Sequence, residues 1–373
     1  PYEEMYSGES LARQFYFGAK WLKDEFNYDA RIYWNVEVPG RTLQMPQIMK
    51  KAGTDYLMMS RFEKGIYNWY SPDGSYVTAF SPGHYADDFR PLQKNFYEAA
   101  QYLSSAALFW EKYYKEKTKD SVVPVLSDWD MSPAVDYSPF IQNWETITEL
   151  QNEHGDFEQV TLPEFSISSG PEFFDALFAG IEDIPSIKGE RPAIWLYIHG
   201  PSHQKALKAS REGDIILTQA EKFAAANAWI EKSFKDYPQV ELNKAWEAKI
   251  YPDHGWGGKN GEITDNLFLQ KYLEAKSTGE YILDRTLKDI SAKIKVSREK
   301  GIPVVVFNSL NWDRTDLASV IVSFDPGEAN HLVLEDAAGN KVPVQITDKE
   351  QYTDGSLKRA TLFFISEEVP SMG

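Results

Sequence analysis

Short apolar runs alternate with longer amphipathic stretches through the first half of the chain. The spacing predicts a helix over 7–26 that opens on the capping signal Ser7-Gly8-Glu9-Ser10, with Leu11, Phe15 and Leu22 at core positions. A strand follows over 30–36, a helix over 43–51, strands over 56–60 and 76–81, and a long helix over 91–117. Tyr102, Phe109 and Tyr113 hold core spacing on that helix, and the charged stretch 112–120 reads as its solvated end. The order continues with a buried-looking strand over 122–126, a helix over 138–150, a strand near 159–162, a helix over 171–180 and an apolar strand over 194–198. Continuous apolar strands separated by helices are the mark of a parallel sheet covered on both faces. The class is α/β, open or barrel-like.

After His203 the texture changes. Long amphipathic helices are expected over 204–234, 242–250 and 266–295, which together make a three-helix bundle. The helical part stops at Lys300-Gly301-Ile302-Pro303, a Gly-then-Pro ending. Strands are then expected over 304–308, 317–324, 331–335, 342–346 and 357–365, with a turn at Gly339-Asn340, as the start of a β-sandwich-like domain. Three parts result: 1–203, 204–300 and 301–373.

Composition narrows the function. A chain of 373 residues, 42% hydrophobic and 14% aromatic, is long enough for two or three domains and reads as folded throughout. A net charge of −17 argues against nucleic acid and anionic membranes, since Lys and Arg are not in surplus to neutralise phosphates, and favours neutral or cationic ligands. The absence of cysteine excludes disulfides, thiolate catalysis and Cys-type zinc sites. No run approaches a membrane span and no signal-peptide pattern is found. The chain opens at Pro1 and ends on Ser371-Met372-Gly373 in a strand-rich stretch, so it reads as a piece of a longer protein, with a periplasmic or secreted location favoured over a cytoplasmic one.

The candidate chemistry gathers at Tyr33-Trp34-Asn35-Val36-Glu37-Val38-Pro39-Gly40-Arg41, where a short strand meets a Pro-Gly turn. A carboxylate at a strand end beside large rings suits a neutral sugar: Glu37 supplies a nucleophile, and Trp34 an apolar face for the C–H side of a pyranose. The plainer reading makes Glu37 a solvated loop residue and Trp34 core. Asp87-Asp88 reads as a helix cap. Trp69, Tyr70 and Trp256 fit either sugar subsites or packing.

Several motifs in order resemble glycoside hydrolase family 38, the retaining α-mannosidases. They are Ser7-Gly8-Glu9-Ser10-Leu11-Ala12-Arg13-Gln14, the cluster from Trp34 to Gly40, Met45-Pro46-Gln47-Ile48 with Ala52-Gly53, Asp73-Gly74-Ser75, the stretch from Ala245-Trp246 to Gly258, and Val306-Phe307-Asn308-Ser309-Leu310. The resemblance implies a partial seven-stranded α/β barrel lacking its N-terminal strand, a three-helix bundle and the start of a β domain. It also implies zinc-assisted hydrolysis of α-mannosidic or related bonds in a mannose-containing glycan. In that chemistry one carboxylate attacks the anomeric carbon and a second group, roughly 5 Å away, protonates the leaving oxygen.

Residue by residue, the family's nucleophilic Asp, itself a metal ligand, falls on Glu37, with Trp34 and Gly40 kept and Pro39 in place of an aromatic. The loop after a central strand falls on Ser127-Asp128-Trp129-Asp130, where Asp128 and Trp129 would bind sugar and Asp130 is a candidate proton donor. At Trp195-Leu196-Tyr197-Ile198-His199 the family's acidic residues are absent, which leaves His199, or His203, as another donor. The family's metal-binding pair falls on Asp253-His254, with Trp256 nearby as a sugar contact. A further His-x-Asp ligand motif would lie upstream of Pro1, and His154-Gly155-Asp156 is read as coincidence. Zinc needs three or four ligands, so no tightly held metal is expected in this polypeptide. Two other functions stay open: a carbohydrate-binding relative without activity, and a polysaccharide deacetylase-like enzyme, which does not account for the helical bundle.

Overall fold

The structure, a computed structural model, describes residues 2–83, 95–113, 122, 125, 136–179, 181, 183–191, 203–251, 261–296 and 301–373. The expected strand at 194–198, most of that at 122–126 and both ends of the long helix lie outside these residues. Two compact units are present, one formed by Pro1–Asp214 with Lys244–Lys276, the other by Ile215–Asn243 with Ser277–Gly373.

In the first unit, helix α1 (Gly8–Phe26) begins where the sequence places it. The Ser7 hydroxyl accepts the Ser10 N–H at 3.1 Å, and the helix ends on Asn27 in the left-handed conformation. Strand β1 (Ile32–Asn35) lies at one edge of a five-stranded sheet with β2 (Tyr56–Met59), β3 (Gly65–Tyr70), β4 (Tyr76–Ser81) and β7 (Ser186–Lys188), in the order β1-β2-β4-β3-β7. Helix α2 (Met45–Lys51) connects β1 to β2.

Both faces of this sheet are covered, which accounts for the unbroken apolar run of β2. Leu57 and Met59 pack with Leu11 of α1 and Met45 and Met49 of α2. Met58, between them, points to the opposite face with Ile66, Phe80, Trp110 of α3 (Phe96–Trp110) and Phe174 and Leu177 of α5 (Gly170–Ala179). The period of two along the strand sorts neighbours into two cores.

The sheet is mixed rather than parallel. β1, β2 and β4 run parallel, whereas β3 is antiparallel to β4 and parallel to β7. The sequence reading passed over β3 because its aromatic residues look like loop bends. Trp69 is 2% exposed, and its indole N–H donates to the Gly189 carbonyl at 3.1 Å, so it is a core residue. Asp73-Gly74-Ser75 forms the β3–β4 hairpin turn, in which Asp73 accepts the Ser75 N–H at 3.1 Å.

Helix α4 (Ser138–Trp144) is shorter than the expected 138–150. The run Thr146-Ile147-Thr148 is β-branched, and the chain turns there into a hairpin of β5 (Glu149–Gln151) and β6 (Phe157–Gln159). His154-Gly155-Asp156 belongs to the turn of that hairpin.

Helices α6 (Gln204–Ile230), α7 (Gln239–Lys249) and α8 (Glu262–Lys293) follow, and residues of all three occur in each unit. In the first unit, Lys249 is fully buried, with Nζ 3.2 Å from Asp214 and 3.3 Å from the Ser10 hydroxyl, over the rings of Tyr6 and Tyr272 at 4.9 and 5.4 Å. In the second unit, Ala220 and Ala224 pack with Leu242 and Ile282. The backbone approach is close there, since a Cβ on Gly279 would lie 2.9 Å from Ile216 Cγ2 and 3.0 Å from Leu217 Cδ2. No helix among the described residues is long and apolar enough to cross a membrane.

The second unit continues into an antiparallel sheet in the order β11-β12-β8, formed by β8 (Arg314–Ser323), β11 (Val344–Gln351) and β12 (Leu357–Val369). A small pair, β9 (Leu334–Glu335) with β10 (Lys341–Val342), accompanies it. Val322, Leu357, Ala360 and Leu362 form its core. The expected strand at 304–308 does not form. Asn308 instead is 2% exposed and donates from Nδ2 to the carbonyls of Trp312, Val369 and Pro370 at 2.7, 3.1 and 3.0 Å, tying the two ends of the β segment together.

At the edge of the first sheet, Glu3 is 1% exposed and accepts the Thr42 N–H at 2.8 Å, with the Arg41 guanidinium 3.7 Å away. Burial raises the Glu3 carboxyl to about 7 against the opposing pull of Arg41 and Thr42. The folded protein thus holds this proton to higher pH than the unfolded chain, whose glutamates titrate near 4.5. Its contribution to stability is fully present below that value and declines as pH rises towards about 7.

Two outcomes follow for these elements. Melting temperature measured across that pH window is expected to depend less on pH in Glu3→Gln than in the parent, and an identical slope would show that Glu3 is charged throughout. Gly279→Ala is expected to cost about 1–3 kcal/mol by overpacking, seen as a lower denaturant midpoint by circular dichroism; an unmoved midpoint would mean that Ile216 and Leu217 yield freely.

Candidate functional site

The site is built at the ends of β1 and β2. These strands are parallel with Asn35 opposite Met59, so positions two residues beyond each strand also lie side by side. Those positions are Glu37 and Arg61. Their side chains form an ion pair between Glu37 Oε1 and Arg61 Nη2. The Arg61 N–H in turn donates to the Gly83 carbonyl beyond β4 at 3.1 Å, so three chain segments meet at the carboxyl ends of parallel strands. In α/β sheets that end is where ligands are held.

Glu37 is unusual in three respects. Its φ is 61°, in the left-handed region that costs a residue with a Cβ about 1–2 kcal/mol. Its N–H donates to the Ser60 hydroxyl at 2.6 Å. Its Oε2 is buried with no hydrogen-bond partner among the described residues, although the side chain as a whole is 28% exposed. One oxygen is therefore charge-paired and the other is left with its lone pairs uncommitted. Arg61 has a φ of 59°, so both partners of the ion pair sit on left-handed backbone.

The loop carrying Glu37 is wrapped around Arg41, which is 4% exposed. Arg41 Nη2 donates to the Asn35 carbonyl at 3.1 Å, and Nη1 donates to the carbonyls of Val38 and Gly40 at 3.0 and 2.6 Å. The Arg41 backbone pairs with Arg191 through hydrogen bonds of 2.9 and 2.8 Å. The Pro-Gly turn visible in the sequence thus closes around a buried guanidinium.

Trp34 lies on β1 and is 45% exposed as a residue, beside the start of α5, where a Cβ on Gly170 would be 3.7 Å from Trp34 Cζ3. An exposed indole on the strand leading to Glu37 offers a flat apolar face. His203 is fully buried, with Nδ1 3.0 Å from Asp265 Oδ1 and its ring edge-on to Phe268. That burial makes it a packing residue, closed to a sugar. Asp128, Trp129, Asp130, His199, Asp253, His254 and Trp256, as well as Asp87 and Asp88, lie outside the described residues. Among the described residues no group of three or more His, Asp or Glu is placed to hold a metal ion.

The sequence names Glu37 as a candidate, and the structure sets Arg61 and Ser60 against it. Arg61 comes beside Glu37 only through the register of β1 against β2, which the sequence does not spell out. Nothing in the sequence announces the Ser60 bond, which depends on the left-handed turn at Glu37.

Comparison with known proteins places this geometry. Residues 1–190 match the family model described as glycosyl hydrolases family 38 N-terminal domain. The chain is 25% identical over 264 residues to an alpha-mannosidase of Saccharomyces cerevisiae (strain ATCC 204508 / S288c), covering 65% of this chain and 22% of that protein. It is 23% identical over 344 residues to alpha-mannosidase 2C1 of Homo sapiens, covering 88% of this chain and 30% of that protein. The fold is similar to that of an alpha-mannosidase from Enterococcus faecalis V583, with a TM-score of 0.66 and 17% identity over 99% of this chain and 45% of that one. The chain spans less than a third of the length of these curated relatives. With more than half of its residues matched by the family model, and with an acidic residue set at the sheet's carboxyl edge, the chain belongs to glycosyl hydrolases family 38.

Proposed function

We propose that this chain carries the nucleophile of a retaining glycosidase acting on α-mannosides or closely related α-glycosides, and that the nucleophile is Glu37. The observation behind this is the asymmetry of the Glu37 carboxylate, with Oε1 held by Arg61 and Oε2 buried without a partner among the described residues. A buried carboxylate oxygen lacking a hydrogen bond is costly. Here it stands on a backbone conformation that glycine would adopt more easily, and glycine would remove the carboxylate. The cost is rational if Glu37, whose side chain as a whole is 28% exposed, is the reacting carboxylate.

In the proposed reaction the Glu37 carboxylate attacks the anomeric carbon as the glycosidic C–O bond breaks, giving a glycosyl ester on Glu37. The departing oxygen takes a proton from Asp130 or His199, and water later attacks the same carbon, giving a proton back to that donor, to release the sugar and free the carboxylate. Arg61 fixes the orientation of the carboxylate plane. The exposed face of Trp34 stacks on the sugar, with Asp128, Trp129 and Trp256 as further contacts. Family likeness adds zinc, with Asp253 and His254 as ligands beside Glu37. The described residues do not fit a zinc centre, for they contribute Glu37 alone and a guanidinium already holds one of its oxygens. The steps above therefore use protein groups only. A partial barrel over 1–203, a helical bundle over 204–300 and the start of a β domain over 301–373 complete the reading.

The test is turnover of an aryl α-mannoside by the full-length protein with zinc present. Glu37→Gln is expected to reduce kcat by roughly 10³-fold or more while still binding saccharide. Unreduced turnover in that variant would remove Glu37 from the reaction. Saccharide binding with no turnover in either protein would mark a carbohydrate-binding relative instead.

A further inference from the structure

Ser60 is 2% exposed, at the end of β2, and its hydroxyl oxygen accepts the Glu37 N–H at 2.6 Å. We infer that Ser60 is a positioning residue: its hydroxyl holds the Glu37 backbone in the left-handed conformation from which the carboxylate is aimed. The inference rests on the reading of Glu37 as nucleophile and adds the device that aims it.

The local energetics leave a role for such a device. A left-handed glutamate is disfavoured, so something must over-determine it. Arg41 grips the carbonyls on either side of Glu37, those of Asn35, Val38 and Gly40, and none of these bonds is made by Glu37 itself. The Arg61 ion pair acts at the end of a side chain with several rotatable bonds, so it fixes the carboxylate and leaves the backbone free to relax. Among the described residues, the Ser60 hydroxyl is the one acceptor that engages the Glu37 peptide N–H. Without it, φ at Glu37 is free to return to negative values, and the carboxylate would reach its target from another origin. Errors of about 1 Å in the placement of a reacting group cost up to about 10²-fold in rate.

Ser60 and Arg61 are consecutive, so one turn of chain supplies both holds. The hydroxyl takes the backbone of Glu37 and the guanidinium takes its carboxylate. That pairing ties the orientation of the nucleophile to the register of β1 against β2 rather than to its own flexible loop.

The experiment uses the full-length protein and an aryl α-mannoside, comparing Ser60→Ala, Ser60→Thr and Glu37→Gln. Ser60→Ala is expected to lower kcat about 10- to 100-fold with KM within about twofold and a melting temperature within a few degrees of the parent. Ser60→Thr, which keeps the hydroxyl, is expected to restore most of kcat. An inactive Glu37→Gln beside a fully active Ser60→Ala would overturn the positioning role and leave the nucleophile reading standing. Equal losses of kcat and of melting temperature in Ser60→Ala and Ser60→Thr would reduce Ser60 to a packing residue. An active Glu37→Gln would overturn the nucleophile reading and this inference with it.

Discussion

A buried guanidinium organises the sheet edge on which everything else stands. Loops leaving a covered sheet carry carbonyl groups out of reach of water, and each must find a donor. The Asn35–Gly40 segment solves this by folding its carbonyls onto Arg41, whose planar fork reaches several acceptors at once where an ammonium would serve as a single point. The guanidinium is in turn faced by Glu3 and its backbone is paired to Arg191, so the chain start, the first strand and the segment following β7 converge on one charge. Remove that charge and the loop has no reason to close where it does.

The helices and most strands were legible because each follows from a local rule. Ser7 caps α1 as its position demands, and the apolar run of β2 reads correctly as a strand covered on both sides. The failures were equally physical. β3 escaped because aromatic density does not distinguish a central strand from a binding loop, and only the neighbours of Trp69 decide between them. The helix over 138–150 was overextended because a weak β-branched stretch, Thr146-Ile147-Thr148, reads either way until it finds a hairpin partner. Around Asn308 the pattern suggested a strand, yet a side-chain amide that satisfies three carbonyls replaced the ladder.

The candidate site can be read in the sequence as residue types and not as geometry. A carboxylate after a strand, with a tryptophan preceding it, is visible as text. The identity of its cationic neighbour is not, because Arg61 is distant in sequence and becomes adjacent only through the pairing of β1 with β2. Positive φ at Glu37 is invisible for a different reason, since the residue types that ordinarily signal it are glycine and asparagine. His203 shows the converse: a histidine in a promising sequence context that burial against Asp265 and Phe268 withdraws from solvent.

The equal spacing of Glu37 and Arg61 past their paired strands has an evolutionary corollary. Point substitutions in β1 or β2 leave that spacing untouched, so the two strands can drift in composition as long as both faces stay apolar. The loss or gain of one residue between Asn35 and Glu37, or between Met59 and Arg61, would rotate one partner to the opposite side of the sheet. Length in these two short connections therefore matters more to the ion pair than the spelling of the strands.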